Sequence, residues 1–353
     1  MQAPATDLRP AQDSTTRSFI AANLLLPLRL IVGWTYFSAF WRRVILENKL
    51  GMDDPGYVGE KFNHFLPNAL VIKPVIEFFV THPQLLWWKL LLFTIIEGVV
   101  GLALMTGLMT RLMGLATSAL ALGILLGAGW LGTTCLDEWQ IGVLGVGAGL
   151  AFAFAGGGDY SLDSRWRQTM SKRLPTWARW SASIEAPMFF RRRGVIVSGA
   201  VACLGLTLLT NQLFHNGVWG KLHNRSVRPV VEVSNARVSN GILSLRLYRV
   251  EGADVYGSFA IGLRVVDERN NVVAEWSAND LAQLPPESIA NQFVARVKPG
   301  AHSLVIPLGA KATLSLRHDR LNDLPPGRYE VELVDISGAS WRTTFDTGSK
   351  GAA

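Results

Sequence analysis

The chain has 353 residues, 49% of them hydrophobic and only 17% charged, with 34 glycines and a positive mean hydropathy, which is apolar for a soluble protein of this size. A net charge of +7 does not mark a nucleic-acid binder, because the basic residues gather mostly in one connector and not along a stripe with interleaved aromatics. The two cysteines, Cys135 and Cys203, are too few for a disulfide framework, and no C-x-x-C, C-x-x-C-H or Cys/His cluster supports haem, iron–sulfur or zinc.

A spanning helix needs roughly 20 apolar residues to cross about 30 Å of hydrocarbon, since lipid leaves backbone groups no outside partner. Five segments meet this test, at about Phe19–Leu46, Leu85–Leu108, Leu112–Leu131, Trp139–Ala155 and Gly194–Phe214. The first is interrupted by Arg29 and Trp34 and lacks a small-residue cleavage site, so it reads as a span and not as a cleaved leader. Between the first two spans lies ALVIKPVIEFFVTH, residues 69–82, apolar on one side with Lys73 and Glu77 on the other. Two readings fit it: an amphipathic segment in the membrane interface, or an apolar piece packed on the bundle.

Orientation follows from Lys and Arg. Arg9, Arg17, Arg111 and the connector from Ser164 to Arg193 place eleven basic residues on one side, against six on the other from Arg42, Arg43, Lys49, Lys61, Lys73 and Lys89. The excess predicts a cytoplasmic N-terminus and connector, with the loop GTTCLDEWQ (132–140) and everything after the fifth span outside. From residue 215 onward the pattern changes. VVEVSNARV, ILSLRLYRV, SFAIGLRVVDERNNVVAEW and GRYEVELVDISGASWRTTF alternate or are rich in β-branched residues, with Asn-Gly, Asn-Asn and Pro-Pro-Gly turns between them. They predict an all-β, immunoglobulin-like sandwich of seven or eight strands. The expected domains are a four-helix membrane domain over 1–163, a basic connector over 164–193, a fifth helix within 194–220 and the β-domain over 221–353.

Several residues invite a chemical reading. Arg29 and Glu97 fall at similar predicted depth on antiparallel helices, and a charge inside a bilayer is costly unless paired or facing a cavity, so an Arg29–Glu97 pair is expected. Such a pair either fixes helix register or floors a polar site. Arg42, Arg43, Lys61 and His64 make the outer mouth cationic, suited to an anion or to lipid phosphate. Trp34, Tyr36, Trp41, Trp87, Trp88, Trp130 and Trp139 cluster toward the outer interface, as an aromatic belt or, for some of them, as faces for a flat ring. Cys135 faces outward beside Asp137 and Glu138, which disfavour a thiolate unless nearby cations outweigh them.

LRLIVGWTYFSAFWRR, IIEGVVGLALMTGLMTRLMG and FAGGGDYSLDSRW resemble the DoxX/DoxD family of small four-helix membrane proteins, with Arg29, Gly33, Glu97, Gly101, Gly107, Arg111, Gly156, Asp159, Ser161 and Asp163 at the family's positions. The lysine usual after the first helix is replaced by Arg42 and Arg43. TCLDEWQ (134–140) is similar to the DoxD branch, and the fifth helix with the β-domain resembles DoxA. The resemblance implies a fused thiosulfate:quinone oxidoreductase, joining two thiosulfates as tetrathionate while a membrane quinone becomes quinol. On that reading Cys135, with Asp137 and Glu138, is catalytic and carries a thiosulfonate or equivalent sulfur adduct. Arg42, Arg43, Lys61 and His64 bind thiosulfate, while Trp34, Glu97, Arg29, Trp130 and Trp139 serve the quinone, with no metal. The expected partners are thiosulfate, quinone, the bilayer and a possible second copy, but no nucleic acid. The competing expectation is a non-catalytic membrane scaffold or redox-partner subunit.

Overall fold

A computed structural model describes residues 20–47, 49–54, 56–132, 137–170, 175–183, 193–223, 225–254 and 257–348. The helices are α1 (Leu26–Trp41, continued by a π-helical turn over Arg42–Leu46), α2 (Val58–Phe65), α3 (Lys73–Val80), α4 (Pro83–Thr106), α5 (Thr110–Ala128), α6 (Asp137–Ala155), α7 (Leu162–Met170), α8 (Thr176–Ser181) and α9 (Arg193–His215). Among the described residues, four of these, α4, α5, α6 and α9, are long and apolar enough to cross a membrane. The first expected span is helical too, but broken. Residues 20–24 form one helical piece, a turn follows at Leu25, and α1 restarts with Pro27 in its first turn, where a missing N–H costs no helical bond. The connector is less plain than its composition suggests, since α7 and α8 lie within or beside it.

The described residues divide into two compact units. The first holds those up to Asp54 with Trp88–Leu125 and Glu138–Gly220. Its helices approach through glycine. A Cβ placed on Gly33 would lie 2.6 Å from Met105 Cγ and 2.9 Å from the Gly101 carbonyl oxygen, and one on Gly114 would lie 2.6 Å from the Gly149 carbonyl oxygen. Side chains there would force the backbones apart, so these glycines serve close packing.

The second unit holds the described residues of Pro55–Trp87, Leu126–Asp137 and Lys221–Ala353. Its strands are β1 (Val230–Ser239), β2 (Ile242–Glu251), β3 (Ser258–Val266), β4 (Val272–Ser277), β5 (Ile289–Asn291), β6 (Lys298–Pro299), β7 (Leu304–Ile306), β8 (Lys311–Arg317), β9 (Gly327–Asp335) and β10 (Ser340–Thr347), with a short helix α10 (Ala278–Ala282) after β4. One sheet runs β1-β2-β8-β5 and the other β10-β9-β3-β7-β6, with β4 on β3. Leu243, Leu245 and Leu247 of β2 meet Leu263, Val265, Val331 and Leu333 of the other sheet in one core. Alternation along β2 is what the sequence displayed, because every second side chain of a strand faces the core. The strand count exceeds seven or eight because β5, β6 and β7 have only two or three residues each, too short to show a period.

The helix α2, from the loop between the first two expected spans, is built into this unit. Asn63, fully buried, donates from Nδ2 to the Gly309 carbonyl at 2.5 Å and accepts the Ala295 N–H at 3.2 Å. Gly309 has φ +72 and presses against the Asn63 backbone, so a side chain there would be strained and would collide. Asn68 extends the join, donating to the Val250 carbonyl at 2.8 Å and accepting from Arg225.

Candidate functional site

In the helical unit the chemistry gathers around Glu97. Its carboxylate is 4% exposed and is paired with the Arg43 guanidinium, which also reaches Thr94 Oγ1 at 3.5 Å. Arg42 acts on Glu97 electrostatically from its more exposed place, its Nε donating to the Ser38 carbonyl at 3.3 Å. Tyr36 is buried and feels the Glu97 charge. A Cβ on Gly145 would come within 3.2 Å of its hydroxyl. Local folding explains the gathering: Gly33, Tyr36, Phe40 and Arg43 recur on one face of α1 and its π turn, while Thr94, Glu97, Gly98 and Gly101 line the facing side of α4. Phe40 lies against Gly98, where a Cβ would be 2.8 Å from its ring. A buried cation, carboxyl and phenol can hold a polar ring substituent and exchange a proton with it.

The expected Arg29–Glu97 pair does not form. Arg29 donates from Nη1 to the Gly157 carbonyl and from Nη2 to the Tyr160 carbonyl, each at 2.5 Å. The reason is register. Gly33 meets Gly101 and Arg29 comes level with Gly107, ten residues from Glu97, or about 15 Å at ~1.5 Å per residue. The segment around Gly157 then folds back under α1 and satisfies the guanidinium with carbonyls. Asp163 completes that end of the bundle by accepting the Met109 and Thr110 N–H groups at 2.7 and 2.9 Å and the Ser183 hydroxyl at 3.1 Å. Burial pushes its carboxyl above the usual range, while the Thr110 and Met109 amides oppose the shift. A carboxylate at the start of α5 suits the helix dipole, so Arg29 and Asp163 act as structural fasteners here.

Two of the expected anion ligands are engaged in the second unit. Lys61 is ion-paired with Asp254, and His64 Nδ1 lies 3.9 Å from the same carboxylate. His64 is 7% exposed. Burial, with Lys61 and Arg249 adding repulsion, lowers its pKa to about 4 against the pull of Asp254. The ring is therefore neutral near pH 7. Arg249 continues the inward parity of Leu243, Leu245 and Leu247 yet carries a charge, held by the Ile306 carbonyl at 3.1 Å and the Ala253 carbonyl at 2.8 Å. Burial lowers its pKa to about 10, partly offset by Asp335 and Asp254.

The His64 shift sets a pH dependence. Its folded pKa of about 4 lies below the ordinary 6.5, so the unfolded chain binds the extra proton first as pH falls. Stability from this group is complete above about pH 6.5, declines between there and about pH 4, and levels off below, by on the order of 3 kcal/mol. Chemical denaturation between pH 4 and 7 should give a shallower slope for His64→Gln than for the parent; equal slopes refute the assignment.

The tryptophans part company. Trp34 is 55% exposed on α1, Trp130 is 1% exposed with its backbone carbonyl accepting from Ser226 at 3.3 Å, and Trp139 donates from Nε1 to Thr210 of α9 at 2.9 Å. Full burial of the Trp130 indole leaves no face for a ring to stack on, and Trp139 ties α6 to α9. Cys135 lies outside the described residues, and Asp137 is described only as the first residue of α6. Glu138, beside it, is half-buried. Among the described residues no three His, Cys, Asp or Glu side chains gather as a metal site. Sequence reasoning assigned Tyr36 to the aromatic belt and passed over Thr94, Asn63 and Asp254. The helical spacing of Tyr36 with Gly33 and Arg43 was the available signal for the first; the others needed the fold.

Comparison with known families closes the identification. Residues 24–184 match the family described as TQO small subunit DoxD, and residues 214–344 match TQO small subunit DoxA. The first match takes in Arg29, Tyr36, Arg43, Glu97 and Asp163; the second begins at the end of α9 and covers most of the β-domain. Both are subunit families of thiosulfate:quinone oxidoreductase, and four apolar helices of spanning length make this a membrane protein. The chain belongs to the DoxD and DoxA families, carried in a single polypeptide as a fused oxidoreductase-type membrane protein.

Proposed function

We propose that the protein is a thiosulfate:quinone oxidoreductase: two thiosulfates lose two electrons and join as tetrathionate, and a membrane quinone takes up those electrons with two protons. The observation that carries this reading is the buried Arg43–Glu97 pair beside Tyr36 and Thr94, with Glu97 and Thr94 on the apolar helix α4 of spanning length. Quinone supplies the two-electron, two-proton sink when bound. Arg43 orients a ring oxygen by a charge-assisted hydrogen bond, Glu97 holds a proton for it, and the Tyr36 hydroxyl donates from the other side. Trp34, Trp139 and Glu138 remain candidates for the ring's surroundings and its proton supply. By the excess of basic residues on the connector side, the β-domain lies outside the cytoplasm, across the cell membrane from the connector.

For the sulfur half, the Cys135 thiolate bonds to the outer sulfur of one thiosulfate as two electrons leave, giving a cysteine-bound S–SO3 group. A second thiosulfate attacks that outer sulfur, tetrathionate departs, and the thiolate is regenerated. Splitting the coupling avoids bringing two dianions together at once. Lys61, near the exposed end of its ion pair with Asp254, draws the anions in.

The test uses the purified full chain in lipid with no cytochrome present. Thiosulfate should reduce a quinone analogue with tetrathionate formed in equal amount, and Cys135→Ser should lower the rate at least about 10²-fold, the scale of losing a nucleophile. No reduction by the parent protein favours a non-catalytic scaffold. Parent-like turnover in Cys135→Ser removes the covalent step alone.

A further inference from the structure

We infer that α3 lies in the head-group region of the outer leaflet and holds the second unit against the bilayer through a strip of apolar side chains, Val71, Val75 and Phe78. The helix has three distinct faces. Ile76 and Val80 are 3% and 1% exposed, Ile76 beside Gly127 of the same unit, whereas Val75 and Phe78 are 56% and 50% exposed. At about 100° per residue, the exposed apolar pair points roughly opposite the buried pair. Lys73 and Glu77, also exposed, occupy the flank between them. Val71, in the turn that precedes α3, is 85% exposed.

An apolar face left uncovered by its own unit needs an occupant, and chain continuity identifies it. α3 ends at Val80 and the spanning helix α4 begins at Pro83, so only Thr81 and His82 separate the strip from a segment that enters hydrocarbon. His82 stacks on Phe78 with ring centroids 4.5 Å apart, and Leu85 and Trp88, 45% and 62% exposed, carry the apolar surface onto the first turns of α4. The strip and the apolar start of α4 therefore follow one another directly along the chain. The Lys73 ammonium, which caps the Pro67 carbonyl at 2.9 Å, stands at the polar border where lipid phosphates lie, and the arrangement is that of an interfacial amphipathic helix. Packing of residues 69–82 on the bundle, the other sequence reading, leaves Val75 and Phe78 unexplained. The inference does not depend on the reaction proposed above.

The test places a polarity-sensitive fluorophore on single cysteines, Val75→Cys, Phe78→Cys and Glu77→Cys, each in the full chain carrying Cys135→Ser and Cys203→Ser. The protein is reconstituted in phosphatidylcholine vesicles with a nitroxide near the top of the acyl chain, and aqueous iodide is the second quencher. Labels at 75 and 78 should be quenched severalfold more by nitroxide lipid than by iodide, with the opposite order at 77. Stronger iodide quenching at both 75 and 78 overturns the inference in favour of a solvated face. Weak quenching by either agent at both positions also overturns it, showing that protein covers the strip.

Discussion

Glu97→Gln is expected to lower thiosulfate-dependent quinone reduction about 10²- to 10³-fold, within the range lost when a positioned acid–base group is removed. Glutamine keeps the shape of the side chain and an acceptor for Arg43, but it cannot hold the exchanged proton or balance the guanidinium. Removing one partner of a buried pair leaves a desolvated charge, so the bundle itself is expected to lose up to about 3–5 kcal/mol, less to the extent that Arg43 keeps some solvent. Its side chain is 22% exposed. Replacing both partners, with Arg43→Met and Glu97→Gln, separates the two effects. Thermal stability should recover because no unpaired charge remains, while quinone reduction stays low because the proton carrier is gone. Recovery of activity in the double variant, or parent-like turnover in Glu97→Gln, would show that the pair only fixes helix register. Glu97→Asp should keep part of the activity, since the carboxyl survives at a shorter reach.

Asn63→Ala should destabilise the second unit by about 2–5 kcal/mol, through two buried backbone groups stranded without partners. Asn63 is fully buried and is the one side chain that joins the Gly309 carbonyl to the Ala295 N–H across α2. Alanine leaves both unsatisfied and opens a small cavity. The expected readouts are a lower denaturation midpoint and faster amide exchange in α2 than in the β2–β8 strands, because β2 and β8 keep their own ladder from Ile242–Arg317 to Tyr248–Lys311. Unchanged exchange in α2 would mean that the Lys61–Asp254 pair and the Asn68 contacts suffice to hold it. Quinone reduction then serves as a further readout of whether docking of α2 matters to turnover.

Composition, apolar run length and period determined most of the architecture. Twenty-residue apolar runs announce spans because lipid cannot satisfy a bare backbone, and LSLRL announces β2 because a strand alternates. The DoxD and DoxA resemblance was carried by residues that can be read in line, Gly33 and Gly101 among them. Charges inside spans were also visible as exceptional. Their partners were not. A pair depends on register between helices about sixty residues apart, and a slip of ten residues moves one end by about 15 Å, which is why Glu97 meets Arg43 and Arg29 meets carbonyls. The fate of Lys61 and His64 was hidden for the same reason: Asp254 and Arg249 lie nearly two hundred residues away in the chain, and the sequence carries no sign that α2 is joined to the β-domain. Burial then decides the chemistry. Desolvation makes His64 neutral and turns Tyr36 from an interfacial aromatic into a neighbour of Glu97, because the cost of a charge depends on its surroundings, and tertiary packing supplies those surroundings.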